Sequence, residues 1–272
     1  MPSNLEPYED LVEQGYLRRV VDGDLVLYNY TDKCTYDAHW NYYTRRGRGI
    51  VFDMGTGGLV SLCLPKFFGL NENHENMLYN LPRLPFVVED KVDGSCVFLW
   101  HHNGQWRTRT RGSFDSDQAI KAREILSDWF LDDFPTNLTY CFEILYAANK
   151  IVVNYGDREE LILLAVFDQE SESELPLGAV NQLAMDLSLA RPTVYDYSLD
   201  DAIDMRDTLP KDREGFVIRY ANNYRVKIKG EAYMKMARLI SRLSPLAVWE
   251  AMEAGELPDT FVMDYPEELR PE

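Results

Sequence analysis

The chain has 272 residues, 46% hydrophobic and 12% aromatic, enough to bury a sizeable core in one large domain or two small ones. A formal net charge of −17 argues against broad, non-specific nucleic-acid binding. No run approaches the roughly 18 apolar residues of a membrane span.

The opening stretch MPSNLEPYEDLVEQGY has no basic region followed by an apolar one, so no secretory signal is read there and a cytoplasmic protein is expected. Short apolar runs bounded by turn residues then follow: DLVLYNYT (24–31), RGIVFDMGTGG (48–58) and LVSLCLPKFFGL (59–70). The middle of the chain repeats the pattern with PFVVEDKVDG (85–94), SCVFLWHHNGQWRTRT (95–110), LTYCFEILY (138–146), KIVVNYG (150–156) and LILLAVFD (161–168). Such β-branched and aromatic segments predict antiparallel strands, and Asn103-Gly104 in HHNGQW predicts a tight hairpin.

Helices punctuate the strands. Residues 116–130 start at a Ser116 cap and put Ile120, Ile125, Leu126 and Trp129 near one face. Residues 179–190 space Val180, Leu183, Ala184 and Leu187 helically and end before Arg191-Pro192. Ser198 with Asp201 gives a capping-box start. Beyond Gly230 the pattern is wholly helical, with a Tyr233, Met236, Ile240, Leu243 stripe and a second helix from Ser244-Pro245 to near Gly255. The expected fold class is α+β: antiparallel sheets with flanking helices and a small C-terminal helical segment.

Cys34, Cys63, Cys96 and Cys141 show no CxxC spacing, so they read as buried reduced thiols and not as a zinc or disulfide framework. His101 and His102 precede the hairpin turn and are expected to face solvent. Positive charge clusters in RRGR (45–48), RTRTR (107–111) and RVKIKG (225–230), which are either solvated faces or local phosphate sites.

Chemistry concentrates around Lys91-Val92-Asp93-Gly94-Ser95. Gly94 permits a tight turn that brings backbone N–H groups near a phosphate. A lysine becomes nucleophilic only when its pKa, about 10.4 when free, is depressed. Glu143 sits inside an apolar strand, where an isolated carboxylate is costly, and Glu214 opens another. Lys227 and Lys229 share one strand face. Singly, each of these reads as a structural ion pair; together they suggest a metal-and-polyphosphate site.

In order and separation, KVDGS, the FE of CFEILY, EGFVI and KIK resemble motifs I, III, IV and V of the covalent nucleotidyltransferases, which comprise ATP-dependent RNA and DNA ligases and mRNA-capping enzymes. RGIVFD, KFFGLNE, RGSF and NKIVVNY narrow the resemblance to phage-type RNA ligases related to the T4 tRNA-repair ligase, over about residues 45–230. This implies an adenylyltransferase domain over residues 1–230 and a short helical extension over 231–272. It also implies that Lys91 attacks ATP and becomes the lysine–AMP nucleophile. ATP or AMP would be held by Arg48, Lys66, Glu89, Asp93, Gly94, Arg111, Glu143, Lys227 and Lys229. Of these, Asp93 would sit on the ribose side, Glu143 would bind ribose or order metal-bound water, and Glu89 with Asp90 would either seat the adenine or keep the strand end solvated. Glu214, with Glu143, would bind Mg²⁺, or Mn²⁺ in its place. Arg111 stands where the family often has lysine, and the two are not interchangeable at phosphate sites.

The expected reaction is joining of 5′-phosphate and 3′-hydroxyl RNA ends, single-stranded or in a broken loop, as RNA repair by a monomer of phage type acting in the host cytoplasm. The 42 residues after KIKG are too few for the appended OB-fold of DNA ligases and capping enzymes, or for a tRNA-specificity domain, and the acidic tail MDYPEELRPE would repel RNA. The alternatives are a DNA ligase or capping-type relative, and an inactive protein that binds nucleotides or RNA ends. Retention of the lysine, both glutamates and the KIK pair counts against the inactive reading.

Overall fold

The computed structural model describes residues 4–242 and gathers the alternating apolar runs into three sheets. The helix expected from Ser244-Pro245 and the acidic tail lie outside the described residues. The first sheet is a meander of β1 (Leu17–Asp22), β2 (Leu25–Tyr30), β3 (Arg48–Asp53) and β4 (Leu59–Ser61), antiparallel throughout. Three helices belong to this part: α1 (Glu6–Glu13), with Pro7 in its first turn, and α2 (Asp32–Tyr36) and α3 (Tyr42–Arg46) in the β2–β3 connection. Neither β1 nor these helices stood out from the sequence pattern.

The chain then alternates between two five-stranded sheets. β5 (Phe68–Gly69) and β6 (Phe86–Asp90) belong to the third sheet. β7 (Ser95–His102), β8 (Gln105–Thr110), β9 (Leu138–Leu145), β10 (Glu160–Asp168) and β11 (Ser173–Glu174) form the second, in the order β11-β10-β9-β7-β8. β12 (Val194–Tyr195), β13 (Gly215–Tyr220) and β14 (Arg225–Lys229) complete the third, in the order β12-β6-β13-β14-β5, with β5 parallel to β14. The hairpin at Asn103-Gly104 forms as expected, both residues having positive φ (50° and 76°).

Burial explains the layering. β9 sends Tyr140, Phe142 and Ile144 into a core shared with α4 (Asp117–Leu126) and α5 (Leu177–Asp186), while Cys141 on its other face joins the core under the first sheet. The third sheet buries Phe216, Ile218 and Tyr220 against α6 (Leu199–Asp204), which starts with the Ser198–Asp201 capping box. Helix α4 starts at Ser116 but stops at Leu126, and its buried face is Ala119, Ala122 and Leu126. Small residues let it lie close to the sheet, which leaves Ile120 41% exposed. Helix α5 ends early because Ser188 turns to positive φ and Ala190 bridges to Ile162.

KIVVNYG is not a strand. Its backbone is drawn into a loop whose Val152 and Val153 N–H groups donate to the Asp93 carboxylate at 2.9 and 2.8 Å. All four cysteines are free thiols, three buried and Cys96 partly exposed. His101 and His102 are half-buried instead of solvent-facing, and His101 packs on Trp106. Among the described residues no helix is long and apolar enough to cross a membrane.

Candidate active site

Between the second and third sheets, with β3 and the β8 turn at its rim, opens a cleft of about 540 Å³. Lys91 stands in its wall, one residue beyond β6. Its backbone N–H continues the sheet by donating to the Gly215 carbonyl at 2.9 Å. Gly215 holds φ +140°, and a side chain there would run into the Ile228 carbonyl, so glycine is required at this point. The chain then turns through Val92 and Asp93 into β7. At Gly94 a Cβ would lie 2.5 Å from the Ile144 carbonyl oxygen of β9. Close approach to β9 therefore explains this glycine. Its N–H donates to Glu143 Oε1 at 3.2 Å and is not left open for a phosphate.

The side chain of Lys91 ends on Glu214. Nζ donates to Oε2 at 2.7 Å, while Oε1 of the same carboxylate takes Lys229 Nζ at 2.8 Å. Glu214 is 4% exposed, so it is a buried anion held by two cations. Burial works to lower the Lys91 pKa, but the charges of Glu214 and Glu143 and the Glu214 hydrogen bond outweigh it and hold the amine above the ordinary lysine value. The sequence reading required a depressed pKa. In the ligand-free arrangement the amine is instead kept protonated, because two carboxylates surround it before any phosphate or metal is present.

Glu143 faces the cleft from β9. Burial raises its carboxyl to about 8, with Lys91 opposing and Cys96 and Glu214 adding to the rise. Among the described residues no three His, Cys, Asp or Glu side chains converge on a metal position. Glu143 in the lining and Glu214 behind Lys91 nevertheless offer carboxylate oxygens suited to a hard cation that would take its remaining ligands from phosphate oxygens and water.

The other expected residues divide between this cleft and its surroundings. Arg48 lines the cleft, donates to the Leu64 carbonyl at 3.1 Å, and keeps a buried Nε with no partner. Arg111 lines it too, held by Tyr30 Oη at 2.6 Å. Glu214 and Lys229 lie behind Lys91, outside the lining, and Lys227 is not in it either. It packs over Phe67, and burial followed by the nearby Lys66 charge lowers its pKa to about 8. Lys66 lies in a smaller neighbouring depression, ringed by Tyr30, Trp40 and Phe68 with Nζ 5.3–5.7 Å from each ring centre. Glu89 is 5% exposed and ion-paired to Arg191 at 3.1 Å, so it does not keep a strand end solvated. Asp90 turns the other way, to Arg213 at 2.7 Å.

Asp93 is 2% exposed, and its oxygens are taken by protein donors: Val152 and Val153 N–H on Oδ2, and Tyr233 Oη on Oδ1 at 2.7 Å. In place of a ribose contact, the structure gives it the work of tying the Lys91 loop to the 151–154 loop and to α7 (Glu231–Arg242).

The sequence reading missed Arg18 and Asn29, which line the cleft from β1 and β2; Asn29 is 4% exposed with an unpartnered Oδ1. An orphaned donor on Arg48 and an orphaned acceptor on Asn29 are what a polar ligand would satisfy. Also missed was Glu174 of β11, which binds Arg219 at 2.7 Å and Arg225 beneath the cleft.

Comparison with known proteins adds a family. Residues 46–233 match the family described as RNA ligase. A protein of Autographa californica nuclear polyhedrosis virus, named as a bifunctional polynucleotide kinase/RNA ligase, is 25% identical over 80% of this chain and 34% of its own length. An RNA ligase of Rhodothermus phage RM378 is 23% identical over 89% of this chain and 70% of its own. The chain thus spans about a third of one relative and most of the other. In three dimensions it resembles an ATP-dependent DNA ligase of Aquifex aeolicus (TM-score 0.63, 17% identity, covering 91% of this chain and 69% of that one). An archaeal ATP-dependent RNA ligase is as similar (TM-score 0.63, 16% identity, covering 97% and 72%).

Proposed function

The chain belongs to the phage T4-type RNA ligase family, and from that premise we propose that it is an ATP-dependent ligase that joins 5′-phosphate and 3′-hydroxyl RNA ends through Lys91. The observation that carries this reading is Lys91 in the lining of a cleft that Arg18, Arg48 and Arg111 also line, with Glu214 behind it binding both Lys91 and Lys229. It supplies the amine, a buried carboxylate at 2.7 Å that positions it, and a second ammonium on the same carboxylate.

In the first step the deprotonated Lys91 amine attacks the α-phosphorus of ATP. An N–P bond forms, the bond to the bridging β-phosphate oxygen breaks, and pyrophosphate leaves. In the second step a 5′-phosphate oxygen of RNA displaces lysine and takes the AMP. In the third, a 3′-hydroxyl attacks that 5′-phosphorus and AMP departs. Arg18, Arg48 and Arg111 hold phosphates at the cleft, and Lys227 and Lys229 neutralise charge as it develops. Glu143 and Glu214 would hold Mg²⁺ or Mn²⁺, which would supply charge neutralisation on phosphate oxygens. The protein acts as a monomer on single-stranded or broken-loop ends.

The test is incubation with ATP labelled at the α-phosphate and Mg²⁺. Covalent label that Lys91→Ala abolishes supports the reading, and absence of label with both ATP and GTP sinks it. Label from GTP alone would favour a capping-type activity. Sealing of 5′-phosphorylated DNA in preference to RNA would overturn the RNA assignment.

A further inference from the structure

Cys96 and Cys141 are neighbours on β7 and β9. In the strand register Cys96 lies opposite Glu143 and Phe98 lies opposite Cys141, so the two cysteines share one sheet face, one rung apart. Their sulfurs are 3.4 Å apart. Cys96 is partly exposed and lines the cleft beside Lys91 and Glu143, whereas Cys141 is 0% exposed. The other two thiols are spent differently: Cys34 Sγ donates to the His39 carbonyl and Cys63 Sγ to the Arg46 carbonyl.

We propose that Cys96 and Cys141 form an oxidisable dithiol in the floor of the cleft, which peroxide closes to an intramolecular disulfide that blocks nucleotide use. The geometry assigns the order of events. Cys96, open to the cleft, meets the oxidant first, and Cys141, behind it, resolves. In the reaction, Cys96 sulfur attacks a peroxide oxygen; the S–O bond forms, the O–O bond breaks, and the departing hydroxide takes a proton as water. Cys141 sulfur then attacks Cys96 sulfur. The S–S bond forms, the S–O bond breaks, and a second water leaves with the Cys141 proton.

The consequence for the cleft follows from adjacency. A disulfide of about 2.05 Å requires the sulfurs to close by more than an ångström, shifting side chains on the face of β7 and β9 that also carries Glu143 and its Gly94–Glu143 hydrogen bond. That bond seats Glu143 opposite Lys91, so the cross-link displaces a carboxylate that flanks the nucleophile. The effect on nucleotide use rests on the ligase reading; the cross-link itself does not.

The test treats the full chain with hydrogen peroxide, alkylates remaining thiols and maps non-reduced peptides by mass spectrometry. The expected result is a Cys96–Cys141 linked peptide, lighter by two hydrogens than its parts, formed before Cys34 or Cys63 reacts and reversed by dithiothreitol. In Cys141→Ser, Cys96 should instead stop as a sulfenic acid trapped by dimedone. Oxidised wild type should lose Lys91 labelling by about tenfold or more and regain it on reduction, while Cys141→Ser keeps it through the treatment. Oxidation of Cys34 or Cys63 first, or of Cys96 with no link to Cys141, would overturn the proposal. Absence of labelling in reduced protein would sink the ligase reading and leave the mapped cross-link standing.

Discussion

Glu214 holds Lys91 at 2.7 Å through one oxygen and Lys229 at 2.8 Å through the other. The shared carboxylate makes the two lysines energetically redundant in the ligand-free protein. Lys91→Ala should therefore cost little stability, about 1 kcal/mol or less, while abolishing adenylylation. Removing both lysines strands a buried carboxylate, which costs about 3–5 kcal/mol. Urea unfolding of the two single variants and the double variant checks this, and additive single effects would refute the shared-anion account.

The same contact sets the titration of the nucleophile. Because Glu214 and Glu143 hold Lys91 above the ordinary lysine value, Glu214→Gln should move its titration to lower pH. Competitive amine labelling of Lys91 across pH, read by mass spectrometry, measures this without any ligase activity. An unchanged midpoint would show that Glu214 is not what keeps the amine protonated.

Glu143 gives a pH dependence of stability with a definite sign. Its carboxyl is raised from the ordinary 4.5 to about 8, so between those values the folded state holds a proton that the unfolded chain has released. The stabilisation is complete below about pH 4.5 and is lost as pH rises through about 8, with a slope of at most about 1.4 kcal/mol per pH unit. Glu143→Gln should flatten that slope in urea titrations between pH 5 and 8.

Lys227 has the opposite trade. Burial and the Lys66 charge depress it to about 8, so its folded state releases a proton that the unfolded chain keeps. Stability should rise with pH from about 8 towards 10.4 as this penalty disappears. Lys227→Met should gain about 1 kcal/mol at pH 7 by removing a half-buried, poorly compensated charge. It should also cut lysine adenylylation about a hundredfold or more. Loss of both stability and activity would mean that Lys227 has a packing role instead.

Tyr233→Phe removes one of three donors to the buried Asp93 carboxylate. The expected cost is about 1–3 kcal/mol. Hydrogen exchange should rise together in the 151–154 loop and in α7, because Asp93 ties both to the Lys91 turn. An effect confined to α7 would contradict that coupling.

The reach of the sequence reading has a physical pattern. Lys91, Glu143, Glu214 and Lys229 were legible because each sits in or beside a short β-branched run, where a charge is costly unless it has a task. Strand faces alternate, so Lys227 and Lys229 could be placed on one side of β14 from spacing alone. The role of Asp93 was hidden because its partners come from a loop and a helix far along the chain, and only the fold brings them to it. Arg18 and Asn29 escaped for the same reason: nothing in β1 or β2 marks them apart from any polar residue on a meander, and their place at the cleft depends on how the first sheet stacks on the second. Gly94 was found for the wrong reason, since a tight turn and a close strand approach both select glycine.

Arg219, 1% exposed, and Arg225 reach from the third sheet to Glu174 of the second, while Arg191 links Glu89 of β6 to the Leu163 and Leu164 carbonyls of β10. Splaying the two sheets apart would pull these buried charges from their partners at a cost of several kcal/mol. The walls of the cleft are thus riveted at their base. Arg18, Arg48 and Arg111 are therefore held on rigid sheets, and an anion in the cleft meets three guanidiniums whose spacing it cannot adjust.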